Sequence, residues 1–405
     1  LRPMLLKIAW RNIWRNRSRS IVVITAIAIG LLAGVFASAF MQGMMRQKIE
    51  SVIKLEMSDF QFHRPQFTEE YLPKLFIPNS ETIMAEVERE PAVAGTSGRL
   101  ISMGMVGSAR RSGAIRIMGI DPVNEALVTG LNEKVVDGAW FEGKSRNPLL
   151  ISRKVADKYG VELKSKLVLT VQDVEGEIIA GAFRVVGIYE SGNGMFDEMN
   201  IYVQQDDLRA LMHIEAGVHE IAVSLTDHDL AEPLATKYQA AYPDLQVQPW
   251  LDLAAGMRFM VEALDVYLYY IVGIILLALL FSILNTMLMA VLERMREIGV
   301  LMAVGMSKAR IFLMIMLETV MLTMIGGPFG LLLSYGFVTY FGEAGINLGG
   351  AAYSDLGFAA IVYPYLDARS YLEVTMMVVV MAVIAAVYPA RKALKLIPVE
   401  AIRTI

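Results

Sequence analysis

The 405 residues contain no cysteine. That excludes disulfides, thiolate metal sites and cysteine nucleophiles, so any domain outside the cytosol must stand on its core alone. Histidine is nearly as scarce, with four residues, His63, His213, His219 and His228. Their spacing fits no zinc pattern, and they read as surface or interdomain side chains, not metal ligands. No Ser/His/Asp set carries a local signature, which leaves no motif for an enzyme. Charge is thin as well. Charged residues make up 19% of the chain against 55% hydrophobic ones, and the formal net charge of -4 gives no ground for nucleic acid as a partner. The chain is too apolar for an ordinary soluble globule and too charged for an all-membrane protein, so a mixture of spans and a soluble domain is the reading that remains.

Four apolar runs supply the spans, at 21–45, 266–292, 319–342 and 374–390. Crossing a hydrocarbon layer of about 30 Å takes roughly 20 helical residues. The first three runs carry no Asp, Glu, Lys or Arg. The fourth is shorter and needs Leu372 and snorkelling flanks. A cleaved signal peptide is the competing reading of the first run, but the run exceeds the usual apolar core of about 7 to 15 residues.

Orientation follows from the basic residues near the span ends. Residues 1–20 hold six basic side chains (Arg2, Lys7, Arg11, Arg15, Arg17, Arg19) and no acidic one. Arg294, Arg296, Lys308 and Arg310 lie between the second and third spans, and Arg391, Lys392, Lys395 and Arg403 follow the fourth. Residues 46–262, by contrast, hold 22 basic and 32 acidic side chains. Both termini are expected to be cytoplasmic and the insert outside. The expected order is a basic amphipathic helix (1–20), span one (21–45), an extracytoplasmic α+β domain (46–262), span two (263–292), a cytoplasmic helix (293–310), span three (311–342), an outer loop (343–370), span four (371–390) and a cytoplasmic tail (391–405).

Within the insert, 59–63 alternates, while 113–119, 166–171 and 182–189 read as strands, the last after a turn at Glu175 and Gly176. Helices are signalled at 80–90, closed by Pro91, and at 152–159, where Ser152 can cap the start and Gly160 the end. Two more are expected, from Asp206 or Asp207 and over 229–241. One motif misleads. Residues 138–145, GAWFEGKS, satisfy the phosphate-loop pattern letter for letter. Such a loop needs a buried strand leading in and a helix leading out. Here the lead-in carries Glu133, Lys134 and Asp137, Pro148 stands where the helix should begin, and Trp140 and Phe141 occupy a loop that needs small residues. It reads as a polar surface loop with two aromatic anchors.

The segment at 293–308, ERMREIGVLMAVGMSK, offers what a motor-docking element requires. Glu293, Arg296 and Glu297 share one polar face, and Ile298, Leu301 and Met302 an apolar one. Gly305 and Ser307 look like a stop and a new N-cap. The plainer reading is a positively charged turn. Before span one, Lys7, Arg11, Arg15 and Arg19 recur every four residues beside Trp10 and Trp14, which suits a helix lying in the inner interface or a simple topology signal. Glu318, about 10 Å past Ile311, reads as an acid pairing with a loop arginine, ahead of an ion pathway. Gly326, Gly327, Pro328 and Gly330 form a small-residue patch for close helix contact. Of the 26 methionines, Met41, Met44, Met45, Met257 and Met260 gather, with Phe259, at the outer ends of spans one and two. Such side chains suit a path for greasy, variable ligands.

These residues also carry a family resemblance. ERMREIGVLMAVGMSKARI is similar to the signature of the FtsX/MacB-like ABC-transporter permeases, as is YPARKALKLIPVEAIR at 388–403, which contains Pro389 and Arg391. WRNIWRNRSRS, and the stretch from Glu318 through GGPFG, match the same pattern. VVDGAWF, LLISRKVADKYGVELKSKL and FRVVGIYE resemble that family's periplasmic core domain. In layout the chain resembles the lipoprotein-releasing (LolC/LolE-like) members most. The resemblance implies a permease without its own ATPase and with no cofactor of its own. It would work with two copies of a soluble ATPase that uses ATP and Mg and docks on Glu293, Arg294, Arg296, Glu297, Ile298, Gly299, Leu301 and Gly305. It further implies a second permease, identical or homologous, contact with membrane lipids, and an acceptor or adaptor outside. The expected activity is extraction or export of an amphipathic substrate by movement of the outer domain. The alternative is a signal relay to an outside partner without transport.

Overall fold

The computed structural model describes residues 2–15, 17–141, 146–349 and 358–394, with the side chains of 2–6, 19, 255–257, 260–262 and 264–265 outside that description. Residues 142–145 of the glycine-lysine loop and the tail from 395, with Lys395 and Arg403, therefore lie outside the described residues. The chain forms two compact units. One comprises Leu1–Met45, Glu262–Ile346 and Val362–Ile405, and the other Arg46–Val261 and Asn347–Ile361.

The first unit is helical. A short helix α1 (Arg2–Arg15) precedes α2 (Arg17–Val52), α3 (Ala255–Glu293), α4 (Met295–Ala303), α5 (Lys308–Ala344) and α6 (Ala368–Leu394). Among the described residues, four helical stretches are long and apolar enough to cross a membrane, Ser20–Met57, Val266–Glu293, Lys308–Ala344 and Ala368–Leu394. In hydrocarbon every backbone polar group must bond within its own helix, which is why the apolar runs are uninterrupted helix. The helices outrun the apolar runs because their polar flanks also favour helix. Arg46 pairs with Glu50 one turn on at 3.0 Å. Asp367 accepts the amides of Arg369 and Ser370 and so caps α6, and Arg369 bonds Glu373 one turn on. That cap and turn extend the fourth, shortest run to membrane length.

Glycine sets how closely α2 meets its neighbours. A Cβ placed on Gly330 of α5 would lie 2.9 Å from the Ala28 Cα, and one on Gly326 would lie 3.0 Å from the Ile24 carbonyl oxygen. Backbone meets side-chainless backbone there, as small-residue packing in membranes requires. Gly30 of α2 instead receives the side chain of Leu279 of α3, whose Cδ1 would lie 2.9 Å from a Cβ placed there. Three hydroxyls buried in this unit are satisfied along their own helices: Ser38, Thr323 and Ser334 each donate to the carbonyl four residues earlier. We expect Gly330→Leu to cost about 1–3 kcal/mol by overpacking against α2, seen as a lowered thermal midpoint in detergent. Gly336→Ala, which meets open space, should leave it unchanged.

The second unit is built on ten strands, β1 (Phe60–His63), β2 (Val93–Gly107), β3 (Ser112–Ile120), β4 (Val135–Gly138), β5 (Pro148–Ser152), β6 (Lys166–Gln172), β7 (Ile178–Tyr189), β8 (Asn200–Gln204), β9 (Glu220–Leu225) and β10 (Gln246–Pro249). Their order is β10-β1-β9-β2-β3-β8-β5-β7-β4, and β6 pairs with both β2 and β7. Pairing therefore closes β2, β3, β8, β5, β7 and β6 into a ring, filled by side chains such as Ile117, Leu149, Leu169, Val185 and Val203. The long strand β2 belongs both to this ring and to the open end of the sheet, where helices Ser80–Val87 and Ala231–Ala241 pack over Phe60, Phe62, Ile221 and Val223.

Several turn signals operate as expected. Ser152 accepts the Val155 amide at the start of helix Arg153–Tyr159, and Gly160 ends it at φ 62. The alternation at 59–63 falls on the strand β1, and its polar positions are buried as well as its apolar ones. Gln61 and His63 are buried, and both reach Glu220 at 3.1 Å. Glu220 also receives Arg99 at 2.7 Å, and the fully buried Arg99 holds both oxygens of Glu125 at 2.8 and 2.9 Å. A charge that deep is tolerated only when paired and fully hydrogen-bonded. Burial by itself would raise the Glu220 carboxyl, but the His63 bond and the Arg99 charge outweigh it and hold it at about 2.

Surface placement of the histidines is thereby corrected for two of them. His63 and His219 are buried, whereas His213 and His228 are partly exposed beside Asp173 and Asp59. The His219 ring accepts the Ile101 amide at 2.9 Å and faces the Pro73 carbonyl at 3.0 Å, which fixes it as the neutral form. Burial pushes it down from 6.5 to about 4. An unfolded chain takes up that proton near 6.5 while the folded one resists until about 4, so stability is lost as pH falls through this window. We expect the thermal midpoint of the inserted domain to decline over that range, and His219→Gln to remove this part of the decline.

Candidate functional site

Between the second and third spans, α4 presents charge and apolar surface together. Ile298 and Gly299 are buried, Leu301 and Met302 half-buried, and Arg296, Glu297 and Val300 exposed. Met302 and Met306 pack on the core of the membrane unit. The helix ends in a Schellman turn: the Met306 amide reaches the Leu301 carbonyl and the Gly305 amide reaches that of Met302, both at 3.0 Å. Gly305 sits at φ 97, a conformation that a side chain disfavours. Ser307 occupies the cap position of α5, but its hydroxyl makes no capping bond.

Charge holds α4 from beneath. Arg294, the residue at which α3 gives way to α4, donates to both oxygens of Glu318 at 3.2 Å and to Glu297 at 3.3 Å. Arg294 and Glu318 are only 17% and 14% exposed. Glu297 in turn accepts from Arg15 of α1, with both carboxylate oxygens 2.5 Å from the guanidinium. Cation and anion thus alternate in a chain of four, Arg15, Glu297, Arg294 and Glu318. The hydrogen bond from Arg15 holds the Glu297 carboxyl below its ordinary range. The pairing of Glu318 with a loop arginine was legible in the sequence. The reach of Arg15 across 282 positions was not, because nothing local marks it.

The helix α1 is itself docked. Ala9 and Ile13 are buried, and the Ser20 hydroxyl donates to the Ile13 carbonyl at 2.6 Å across the join with α2. On its other side Trp10 and Trp14 stand exposed, edge to face at 5.9 Å.

In the inserted domain, Gly138 closes β4 and the Trp140 indole donates to the Pro122 carbonyl at 3.0 Å, while Phe141 is buried. The next element is the strand β5, beginning at Pro148. Among the described residues the segment leads from strand β4 into strand β5 and not into a helix, so no helix N-terminus is placed there to face a phosphate.

Comparison with known proteins decides the family. Residues 20–241 match the family model described as MacB-like periplasmic core domain, more than half of the chain, and residues 269–398 match the FtsX-like permease C-terminal model. The chain is an FtsX/MacB-like ABC-transporter permease. Among its relatives are an uncharacterized ABC transporter permease of Methanocaldococcus jannaschii, 22% identical over 98% of this chain and 97% of the relative. The lipoprotein-releasing system transmembrane protein LolC of Xylella fastidiosa is 22% identical over 78% of each chain. The pyoverdine export ATP-binding/permease protein PvdT of Pseudomonas entomophila is 24% identical over 98% of this chain and 59% of the relative.

As a family member the permease is a transport subunit of a multi-pass membrane protein assembly, and its class implies an ATPase partner and a permease partner. In the permease, Pro389 is buried within α6 and Arg391 is exposed two residues on. Gly326 and Gly330 sit in the α2 contact described above. Met41 and Met44 are half-buried on α2 and Met45 is buried there, while Phe259 on α3 is 72% exposed. The side chains of Met257 and Met260 lie outside the described residues.

Reversing Glu297 to Lys places a third cation between Arg15 and Arg294. We expect this variant to lose co-purification of the ATPase severalfold while its thermal midpoint stays near that of the parent. Combining Glu297→Lys with Arg15→Glu should restore much of the binding. Normal recovery of the ATPase with Glu297→Lys alone would count against α4 as the docking element.

Proposed function

We propose that this permease couples ATP hydrolysis, carried out with Mg by two copies of a separate ATPase, to extraction or export of an amphipathic substrate such as a lipoprotein or a lipid-like molecule. In this reading both termini and α4 are cytoplasmic, and the inserted domain is outside and transmits the work. It acts with a second permease, identical or homologous, and hands the substrate to an acceptor or adaptor. The permease itself binds no nucleotide. The observation that carries the proposal is α4, a short helix whose base is pinned by Arg294 and Glu318 and whose exposed rim presents Arg296, Glu297, Val300 and Val304. A rigid element with a charged and apolar rim is what a separate motor needs in order to push.

The substrate class draws on the likeness to LolC, a lipoprotein-releasing protein by name. It draws also on soft side chains at Met41, Met44 and Met45, and at Met257, Phe259 and Met260, as candidates for the path. Purification from the native membrane in mild detergent, followed by mass spectrometry, should recover a soluble ATPase together with acylated proteins or lipids. Met41→Asp and Met44→Asp should then abolish stimulation of ATP hydrolysis by those molecules while the ATPase still co-purifies. Recovery of an ATPase with only a cell-wall or regulatory partner would favour a signal relay instead.

A further inference from the structure

Lys7, Trp10, Arg11 and Trp14 share the exposed side of α1, opposite the buried Ala9 and Ile13. Among the described residues neither Lys7 nor Arg11 has an ion-pair partner. The helix ends at Arg15, five residues before the first span begins at Ser20. Five residues of chain reach at most about 18 Å, so chain connectivity holds the end of α1 that carries Trp14 and Arg15 close to the boundary of the bilayer. Two indoles with two cations are the side chains that such a boundary takes up, the rings at headgroup depth and the cations against lipid phosphates. Residues 1–20 contain no acidic side chain to oppose them.

We propose that this face of α1 binds the anionic headgroup layer of the membrane, and that Arg15 passes the contact on to α4, making the position of the ATPase-facing helix sensitive to lipid charge. Arg15 lies one turn beyond Arg11 yet is committed to Glu297, at 2.5 Å. Glu297 shares Arg294 with Glu318. A shift of α1 in the headgroup layer is thus delivered to the end of α4 at which α3 terminates. Helix α1 is the lipid-binding element and Arg15 a positioning residue.

The consequence for coupling rests on the reading of α4 as the ATPase-docking helix. The test uses neither ATPase nor substrate, so the two readings fail separately. The full chain carrying Trp140→Phe and Trp250→Phe, in which Trp10 and Trp14 are the remaining indoles, is reconstituted in phosphatidylcholine vesicles with or without phosphatidylglycerol. Brominated acyl chains should quench both indoles, more strongly with phosphatidylglycerol present. Amide exchange across 295–303 should be roughly threefold slower in the anionic vesicles. Lys7→Gln with Arg11→Gln should remove both responses to lipid charge. Arg15→Gln should keep the quenching and lose the effect on exchange. The proposal is overturned if brominated lipid fails to quench the indoles, as a protein partner covering this face would cause. It is also overturned if α4 exchanges equally in both lipids, or if Arg15→Gln still responds.

Discussion

A carboxylate in the first turns of a membrane span is costly unless it is paired, and Glu318 obtains its partner from the joint where α3 stops and α4 begins. Neutralising that acid draws Arg294 inward and thereby fixes the turn between the second and third spans. Glu297 is placed by the same arginine, and Arg15 by Glu297, so the first helix of the chain is tied to the third span through alternating charges. Removing Glu318 would remove the reason for the arrangement. The outer pair, Arg15 with Glu297, is solvent-exposed and contributes little stability in its own right.

The inserted domain solves the problem of buried charge differently. Arg99 is wholly enclosed and is bonded by two glutamates, which a serine, a glutamine and a histidine bond in turn across β1, β2, β9 and helix Pro122–Thr129; among the described residues only the His63 Nδ1 of this cluster is left without a partner. Such a cluster is not an efficient source of stability, since well-packed apolar side chains can do as well. It lies where β2 passes from the ring to the open end of the sheet, with Arg99 opposite Ile120 of β3 and Glu220 of β9. In the membrane unit close contact falls to glycine, because helices in lipid gain no hydrophobic drive from meeting one another and must approach closely to attract.

Much of this was legible along the chain. Long apolar runs flanked by asymmetric charge can only be spans, since backbone in hydrocarbon has no alternative to helix. Ser152 and Gly160 announce their helix because caps act within a few residues. The two buried histidines were misjudged for one reason. A polar residue looks like a surface residue until the partners that satisfy it, here Glu220 for His63 and the Ile101 amide for His219, are brought from far along the chain.

The sequence by itself thus determined the number of spans and the family, because periodicity, charge bias and contiguous motifs are local properties. Only the tertiary structure decided that β6 closes a ring between β2 and β7, that Gly330 meets Ala28, and that Arg15 belongs to Glu297. Each of these joins residues far apart in the chain, and their contact energy depends on a geometry that exists only once the whole chain has folded.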